Sequence, residues 1–264
     1  MTERIGRVAL DVADLDRAVS FYQGVVGLET LTRETGRAVL GADDPLLVLR
    51  SAPDRPARGP SETGLFHTAF RVPSQAALGD ALGRIESDWR LTGASDHGVS
   101  EALYLRDPED NGVEVYRDRP RTDWPLADDG RVEMGTRRLA LDPLREAASG
   151  ADRCPPETVV GHVHLEVSSL DASEAFYAAG LGLDVRQAMD GARFLAFDDY
   201  HHHVGLNVWN GRADPSTGRG LAWVELRVDD PETVRSRVGE ATARTDGFEA
   251  YDPDGVEVRV RRVD

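Results

Sequence analysis

The stretch IGRVALDV at residues 5–12 is repeated as VGHVHLEV at residues 160–167. The register holds without a gap at an offset of 155 residues, and the pair FY occurs at both 21–22 and 176–177. Each copy alternates apolar and polar residues, as a half-buried strand does, and then continues into a helix that starts near an aspartate and stops at a glycine. The chain therefore contains an internal duplication.

A weaker repeat divides each half again. LFHTAFRV at 65–72 matches LAWVELRV at 221–228, and DPEDNGVEV at 107–115 matches DPDGVEV at 252–258 when the two GVEV motifs are aligned. Each half thus contains two units of one form, a strand followed by a helix and several further strands. The approximate spans are 1–55, 63–119, 158–214 and 219–263. The sequence predicts an α+β fold of four βαβββ units.

Prolines mark the connection between the halves. They stand at Pro120, Pro125, Pro143, Pro155 and Pro156. We expect a first repeat at residues 1–119, a linker at 120–157 and a second repeat at 158–264, because such stretches separate packed units. Within the linker, residues 142–148 have the composition of one or two helical turns.

The composition limits the functions that this chain can have. Its 264 residues allow two domains of ordinary size, and no apolar run approaches the roughly 18 residues of a membrane span. The N-terminus shows neither a basic nor an apolar signal region, so we expect a cytoplasmic protein. The single cysteine, Cys154, excludes an internal disulfide.

The net charge of -16 argues against nucleic acid and anionic membranes as partners, because both bind basic surfaces. A small molecule is the expected substrate. All 31 basic residues are arginine and pairs of aspartates recur, which is typical of high-salt or high-GC proteomes. We weigh this interpretation of the charge above an acidic binding face, because salt screens the repulsion within an acidic surface.

All seven histidines lie in the second and third units, which make up about half of the chain. They are His67 and His97 in the second unit, and His162, His164, His201, His202 and His203 in the third. Histidines with only general structural roles would be spread more evenly along the four units. The distribution therefore predicts one site that the second and third units share.

Two of these histidines, His67 and His162, occupy equivalent first-strand positions, where the other two units carry Trp223 and Arg7. Glu114 lies on the last strand of the second unit, so its strand can run beside that of His67. Two neutral imidazoles and one carboxylate form the facial arrangement used for non-heme Fe(II), which leaves positions open for substrate and oxygen. Mn(II) fits the same ligands, and Zn(II) stays open.

Each candidate ligand also has an ordinary structural interpretation. A lone strand histidine is more often a hydrogen-bonded core residue, and Glu114 alone could be a solvated carboxylate. Glu257 stands at the aligned position of the fourth unit, and a competing set of Glu257 with His162 lacks a second histidine. The combination of His67, His162 and Glu114 with the repeat favours one mononuclear metal site.

The spacing of residues before Glu114 resembles a known signature. His97 is followed after five residues by LY at 103–104, after two more by DP at 107–108, and then by Glu114. Together with the strand GHVHL at 161–165, this pattern resembles the vicinal oxygen chelate superfamily, and within it the extradiol dioxygenases of the catechol 2,3-dioxygenase type. The resemblance covers nearly the whole chain and implies two barrel-like domains.

The resemblance implies a role for each residue of this pattern. His67, His162 and Glu114 would be the metal ligands. Tyr104 and His97 would lie beside the metal, facing the substrate, where they would hydrogen-bond to it.

A run of three histidines resembles the strand that carries the acid/base histidine of the family. The run is YHHHVGL at 200–206, and His203 matches that histidine best. In a strand, His201 and His203 would share one face and His202 would lie on the other. A surface polyhistidine tract is the ordinary alternative, but apolar strand residues flank the run. We therefore expect His203 to be catalytic.

Departures from the family pattern change the expected topology. In the best-known members both histidines and the glutamate come from the C-terminal half, whereas here that half carries Trp223 at the position of the second histidine. The ligands must then come from the second and third units. We expect these two units to pair in one barrel-like half, and the first and fourth units to pair in the other. The turn before Glu114 has Asp110 and an extra residue where the family has a glycine after Asp-Pro.

The resemblance implies an extradiol ring-cleaving dioxygenase that acts on a catechol-like diol and O2, with Fe(II) or Mn(II) as cofactor. His203 would take a substrate proton and return it, and we expect a homo-oligomer. A glyoxalase-type isomerase or lyase, or a thiol transferase, is an alternative on this scaffold, but its two glutamates do not match Arg7. A bleomycin-resistance-type binding protein is another, for which seven clustered histidines would be superfluous.

Overall fold

Sixteen strands follow the order of the four predicted units in the computed structural model, which describes residues 3–128 and 130–263. A seventeenth, two-residue strand lies in the linker. In chain order, the described strands are β1 (Arg4–Val12), β2 (Glu29–Glu34), β3 (Arg37–Gly41), β4 (Pro45–Ser51), β5 (Gly64–Arg71), β6 (Gly93–Asp96), β7 (Ser100–Arg106), β8 (Gly112–Asp118), β9 (Arg137–Arg138), β10 (Val159–Glu166), β11 (Asp184–Met189), β12 (Ala192–Ala196), β13 (Val204–Asn207), β14 (Gly220–Val228), β15 (Thr242–Arg244), β16 (Gly247–Tyr251) and β17 (Glu257–Arg262).

A helix follows the first strand of every unit. The described helices are α1 (Leu15–Phe21), α2 (Gln75–Asp88), α3 (Asp142–Ala147) in the linker, α4 (Leu170–Glu174) and α5 (Pro231–Arg235), with π-helical turns at Tyr22–Val26 and Ala175–Gly180 and a 3-10 turn at Arg121–Asp123. The four unit helices begin after Asp14, Ser74, Ser169 and Asp230, whose side chains accept a backbone N–H of the first turn. Such caps satisfy donors that a helix start leaves unpaired.

The strands assemble into two sheets, each of which joins two units. The outer sheet has the order β15-β16-β17-β14-β1-β4-β3-β2, and the inner sheet has the order β11-β12-β13-β10-β5-β8-β7-β6-β9. At the centre of each sheet two first strands pair antiparallel, β1 with β14 and β5 with β10. The predicted α+β fold is confirmed, with the second and third units in the inner sheet and the first and fourth units in the outer sheet.

One continuous hydrophobic cluster joins both sheets and their helices. Its buried members include Leu10 of β1, Phe70 of β5, Val163 of β10 and Val224 of β14, so all four central strands contribute. Burial of side chains of this size stabilises the fold by about 1.5 to 3 kcal/mol each. The candidate site lies on the side of the inner sheet that turns away from this cluster.

Irregular pairing turns two histidines away from the core. The register between β5 and β10 shifts between Val160 and His162 on β10, and again between Leu65 and His67 on β5. Each shift is a β-bulge, which reverses the alternation of a strand locally. Val160 and Leu65 therefore stay in the hydrophobic cluster, while the histidines two residues later face the other side.

The structure corrects one alignment within the duplication. The turns before β8 and β17 are closed by the same backbone hydrogen bond, and Asp110 and Gly255 occupy the same position with φ of 67° and 85°. Counting from there, Glu114 is equivalent to Arg259 and not to Glu257. The alignment of the GVEV motifs is wrong by two residues. Within this chain, the turn before Glu114 has no extra residue.

The linker contributes elements of its own. The helical segment expected at residues 142–148 is α3, which packs on α2. Strand β9 extends the inner sheet beside β6. The domain boundaries at residues 119 and 157 stay a prediction. Among the described residues, no helix has both the length and the apolar character needed to cross a membrane.

A tyrosine and an aspartate pair in the same way in both halves. The Tyr177 hydroxyl donates a hydrogen bond to Oδ2 of Asp252, and the Tyr22 hydroxyl donates one to Asp107, both at 3.1 Å. Oδ1 of Asp252 also accepts two backbone N–H groups of the turn before β17. Burial raises the pKa of the Asp252 carboxyl to about 6. The folded chain therefore holds this proton more tightly than the unfolded chain does.

The replacement Asp252→Asn is expected to change how stability depends on pH. A carboxyl whose pKa is raised by folding stabilises the protein fully below its unfolded pKa of about 3.9, and this contribution is lost as the pH rises to about 6. The free energy of unfolding of the wild type minus that of the variant should therefore fall between about pH 4 and pH 6 and stay flat above. Urea titrations at several pH values measure it.

The matched control for this measurement is Asp190→Asn, in the exposed turn between β11 and β12. Its free energy of unfolding should run parallel to that of the wild type. A difference between wild type and Asp252→Asn that does not change with pH would contradict the raised pKa.

Candidate metal centre and its cavity

Three candidate ligands meet on the inner sheet. His67 lies on β5, His162 on the neighbouring β10, and Glu114 on β8 at the other side of β5. Oε2 of Glu114 lies 3.0 Å from Nε2 of His67 and 3.2 Å from Nε2 of His162, and the two Nε2 atoms are 3.3 Å apart. The structure thus brings together the three residues singled out in the sequence, and all of them are buried.

This triangle of donor atoms has the size of a metal site. Three donors at right angles around an ion, each about 2.1 to 2.2 Å from it, lie roughly 3 Å apart. Burial lowers the pKa of His162 to about 4, so its ring is neutral at pH 7. Burial alone would raise the pKa of Glu114, but the imidazoles of His162 and His67 hold it well below its usual range. The donor set therefore suits a divalent cation.

The outer sheet carries different side chains at the equivalent positions. Arg7, Trp223 and Arg259 take the places of the three candidate ligands. The guanidinium carbons of Arg259 and Arg7 lie 4.2 Å and 5.7 Å from the centre of the Trp223 ring, within the range of cation–π contacts. Arg7 also pairs with the fully buried Glu225 at 2.6 Å. Cationic side chains thus occupy the place where the inner sheet carries the three candidate ligands.

Tyr104 lies beside the candidate ligands because it pairs directly with Glu114 across β7 and β8. Burial, and then the negative charge of Glu114, raises the pKa of the Tyr104 hydroxyl well above its usual value, so the hydroxyl keeps its proton. It lies 2.7 Å from Nε2 of His97, in the turn between β6 and β7. Both side chains line the cavity in front of the ligands.

Residues 134–136 of the linker, which we call the strap, close over His97. Nδ1 of His97 lies 2.7 Å from the carbonyl oxygen of Gly135, to which it must donate. This contact selects the tautomer in which Nε2 accepts the tyrosine hydroxyl. Gln187 on β11 holds the strap, because its side-chain amide accepts the N–H of Met134 and donates to the carbonyl of Met134, both at 3.1 Å.

The replacement Gln187→Ala is expected to release the strap, because it removes both hydrogen bonds to the Met134 backbone. A released segment opens locally and becomes a better protease substrate. Trypsin should cut after the flanking Arg131 and Arg137 several-fold faster than in the wild type, as measured by mass spectrometry of timed digests. Gln187→Glu is the graded control, since its carboxylate still accepts the N–H but repels the carbonyl. An unchanged cleavage rate in Gln187→Ala would mean that other contacts hold the strap.

The three consecutive histidines precede β13, which begins at Val204. The strand alternation expected for them is therefore wrong, and each ring meets a different environment. His202 lines the cavity, with its ring centre 4.1 Å from that of His162. His201 is fully buried behind it. Burial lowers the pKa of His202 well below its usual value, so this ring is neutral. It can take a proton from a bound acid only if neighbouring groups of the site stabilise the protonated ring.

The structure does not bring His203 to the cavity. Its Nδ1 accepts the backbone N–H of Phe197 at 3.2 Å, and its ring packs against those of Phe197 and Tyr200. Burial lowers the pKa of His203 to about 3. Because the backbone before β13 is irregular, His202, the middle histidine of the run, lines the cavity where the resemblance led us to expect His203.

A cavity of about 460 Å³ opens in front of the candidate ligands. Its apolar walls come from five side chains on different elements, which are Phe66, Met134, Met189, Phe194 and Trp209. Walls of this kind hold a planar aromatic ring, while the few polar groups at the floor orient it. The sequence alone did not identify these walls, because the strap, the strands β5, β11 and β12 and the turn after β13 all contribute to them.

His164 is a further histidine of this cavity, and it was not among the site residues predicted from the sequence. It follows His162 by two residues on β10 and so faces the same side. Its ring lies over Gly205 on β13, where an added Cβ would come within 2.2 Å of the ring. Its Nε2 is buried and has no hydrogen-bond partner among the described residues. The alternation in GHVHL is the signal that could have identified it.

Comparisons with known proteins agree with the fold. A family model described as the Glyoxalase/Bleomycin resistance protein/Dioxygenase superfamily matches residues 4–115. The chain is 40% identical over 252 residues to a protein named catechol-2,3-dioxygenase from Bacillus subtilis (strain 168), and the match covers 90% of this chain and 88% of that protein. A biphenyl-2,3-diol 1,2-dioxygenase 3 from Rhodococcus globerulus is 30% identical over 127 residues, which cover 45% of this chain and 65% of that protein.

A likeness among solved structures concerns the fold alone. The crystal structure of glyoxalase I from Zea mays superposes with a TM-score of 0.62 and 17% sequence identity, covering 99% of this chain and 92% of that one. At this level of identity the arrangement of strands and helices is shared. The chemistry of the two proteins does not follow from it.

Proposed function

Because the chain belongs to the glyoxalase/bleomycin resistance protein/dioxygenase superfamily and is 40% identical to a catechol-2,3-dioxygenase, we propose that it is an extradiol ring-cleaving dioxygenase. Its substrates are a catechol-like aromatic diol and O2. Both oxygen atoms enter the product as the ring opens at the carbon–carbon bond next to the two hydroxyls. The reaction needs no external reductant.

Three donor atoms converge beside a cavity with aromatic walls, and this geometry supports the proposed reaction. Nε2 of His67, Nε2 of His162 and Oε2 of Glu114 lie within 3.3 Å of one another. We propose these residues as the ligands of Fe(II), with Mn(II) as the alternative ion. When bound, the ion lowers the pKa of the diol hydroxyls and holds the diol next to O2.

The side chains of the cavity would supply proton transfer and orientation. His202 takes the proton of one diol hydroxyl at Nε2 and returns it as the ring opens, which is general base and then general acid catalysis. The Tyr104 hydroxyl donates to His97, so its oxygen can accept a hydrogen bond from the second diol hydroxyl and orient it. The apolar walls hold the ring and exclude water from the reacting atoms.

The alternative functions fit this cavity less well. A glyoxalase-type isomerase uses two glutamates, but of the described residues that line the cavity, Glu114 alone carries a carboxyl group. A binding protein without a metal has no need of three donor atoms held at 3.0 to 3.3 Å in a buried site. The extradiol reaction uses the ligands, the base and the aromatic walls together.

The location and the assembly of the enzyme are also proposals. We place the enzyme in the cytoplasm, where a reducing environment keeps an iron site in its Fe(II) state. We propose a homo-oligomer, since the free edge strands β2 and β15 of the outer sheet offer pairing surfaces to a second copy.

The deciding experiment starts from protein purified without oxygen and analysed for metal. Catechol and substituted catechols are then added in an oxygen electrode under ¹⁸O2, and the product is examined by mass spectrometry. We expect iron or manganese in the protein, oxygen uptake equal to diol consumed, and a product that carries two ¹⁸O atoms. Metal-loaded protein that consumes no oxygen with any diol, but isomerises a glutathione hemithioacetal, would overturn the proposal in favour of a glyoxalase-type enzyme.

A further inference from the structure

A chain of hydrogen bonds runs from the cavity to the far end of β8. Nδ1 of His202 lies 2.8 Å from Nδ1 of His201, and Nε2 of His201 lies 3.0 Å from Oδ1 of Asp118. His201 is fully buried, whereas the Asp118 side chain is 22% exposed. Three side chains therefore connect the wall of the cavity with a charged group that solvent reaches.

Asp118 is an ionised acceptor at the end of this chain. Burial would raise the pKa of its carboxyl, but the hydrogen bond from His201, the charge of Arg71 and the hydrogen bond of Tyr200 lower it below its usual value. Nη1 of Arg71 and the hydroxyl of Tyr200 both lie 3.1 Å from Oδ2. A carboxylate held in this way has no proton to give, so it accepts the hydrogen bond from Nε2 of His201.

The direction of the next hydrogen bond follows from that acceptor. A neutral His201 that donates from Nε2 has its lone pair on Nδ1, which must accept. Nδ1 of His202 is then the donor at 2.8 Å, and the lone pair of His202 lies on Nε2. Among the described residues this Nε2 has no hydrogen-bond partner, and the His202 ring lines the cavity.

Aromatic rings hold His201 in this orientation. The ring centre of Tyr200 lies 4.1 Å from that of His201, and the ring centre of Trp124 lies 5.3 Å from it. Exchange of the two nitrogens by rotation of the ring would require these neighbours to repack. The contact from His201 to His202 is therefore fixed by the fold and not by the substrate.

We propose that His201 and Asp118 are positioning residues for His202. They select the tautomer in which Nε2 of His202 is the base that faces the diol. A carboxylate behind a catalytic histidine orients the ring and fixes its tautomer in this way, here through His201. The inference rests on the acid/base role of His202 in the proposed function.

The variant Asp118→Asn tests the direction of the chain. Its side chain has one oxygen and one NH2 group, and the charged Arg71 takes the oxygen because two donors repel each other. The NH2 group then faces His201 and forces Nε2 of His201 to accept. Protons should move to Nδ1 of His201 and Nε2 of His202, so that His202 presents an N–H to the cavity in place of its lone pair.

Nitrogen NMR of metal-free protein labelled with ¹⁵N-histidine reads these tautomers without any turnover. Protonated and unprotonated ring nitrogens resonate far apart, and single replacements of His201 and His202 assign the signals. We expect protons on Nδ1 of His202 and Nε2 of His201 in the wild type and the reverse in Asp118→Asn. Tautomers that are the same in both proteins, or a wild-type His202 protonated on Nε2, would overturn the proposal.

Steady-state kinetics of the metal-loaded protein give the second readout. We expect kcat in Asp118→Asn to fall by about 10- to 100-fold, with KM for the diol little changed. His201→Leu should cause a similar loss while leaving the pairs of Asp118 with Arg71 and Tyr200 intact, and it replaces Asp118→Asn if that variant does not fold.

The matched control is Glu101→Gln. Glu101 is a buried carboxylate on β7 that pairs with Arg117 and Arg119, both at 2.8 Å, and it has no ion pair with a histidine among the described residues. A kcat loss in Glu101→Gln equal to that in Asp118→Asn would mean a merely structural effect and overturn the positioning role. If the wild-type protein has the expected tautomers but cleaves no ring, the proposed function is wrong. The positioning of His202 by His201 and Asp118 would still be supported.

Discussion

The exchange of His162 for alanine is expected to remove the bound metal and to abolish ring cleavage. Only Nε2 of His67 and Oε2 of Glu114 would remain, and a divalent ion held by two protein ligands exchanges with solvent. Losing several kcal/mol of transition-state stabilisation lowers the rate on the order of 1,000-fold. Elemental analysis after gel filtration should show background metal, and the oxygen electrode should show no uptake with catechol above the rate without enzyme.

Arg7→Ala is the matched control for this variant, because Arg7 occupies the same position on β1 of the outer sheet. It should lower stability through its contacts with Trp223 and Glu225, but the metal content and the rate should stay at wild-type values. If His162→Ala kept the wild-type metal content, the proposed ligand set would be wrong.

The exchange of His202 for glutamine is expected to separate catalysis from metal binding. Glutamine cannot take a proton from the diol, and loss of a general base lowers kcat by roughly 100- to 10,000-fold. The metal content should be unchanged, because His202 packs on the ring of His162 but offers none of the three donor atoms. Steady-state kinetics and elemental analysis of the same preparation measure both quantities.

His203→Gln is the informative comparison for His202→Gln. The resemblance to extradiol enzymes implies His203 as the acid/base group, whereas the structure places His202 at the cavity and directs Nδ1 of His203 to a backbone N–H. We expect the larger loss of kcat from His202→Gln. A larger loss from His203→Gln, with His202→Gln close to the wild type, would return the role to His203.

The pairing of the units was predictable from the sequence because histidine placement carries topological information. With His67 and His162 on the first strands of two units, one shared site requires those strands to be neighbours, and β5 and β10 do pair at the centre of the inner sheet. Because the chain is duplicated, the first strands of the first and fourth units are then expected to pair in the same way in the outer sheet. Strand composition alone could not have distinguished this arrangement from one in which each half closes on itself.

The local backbone geometry could not be predicted from the sequence. A simple alternation would place Val160 and His162 on one face of β10, and only the bulge at Gly161 separates them. The bulge depends on a distant contact, since an added Cβ on Gly161 would lie 1.8 Å from the hydroxyl oxygen of Tyr116. The position of each ring in the triple histidine could not be predicted either. The backbone turn before Val204 depends on tertiary packing and not on a local sequence pattern.

The misplaced alignment of Glu114 has a different cause. GVEV occurs in both halves, so identical letters favoured Glu257 as the counterpart, although the turn geometry makes Arg259 the equivalent residue. Short identical motifs align by chance after turns whose glycine and polar residues differ. The correction matters for the site, because Glu257, which lies in the outer sheet, is no longer the counterpart of Glu114.

The outer sheet keeps the bulges of the inner sheet, but Arg7, Trp223 and Arg259 fill the matching place. A duplicated gene starts with two copies of whatever its ancestor bound. In the outer sheet, the guanidinium groups of Arg7 and Arg259 supply the positive charge. A metal cation that entered there would meet these two groups, which are already stacked on the indole of Trp223. The stoichiometry of metal binding follows from this asymmetry, and a calorimetric titration should saturate at one equivalent per chain.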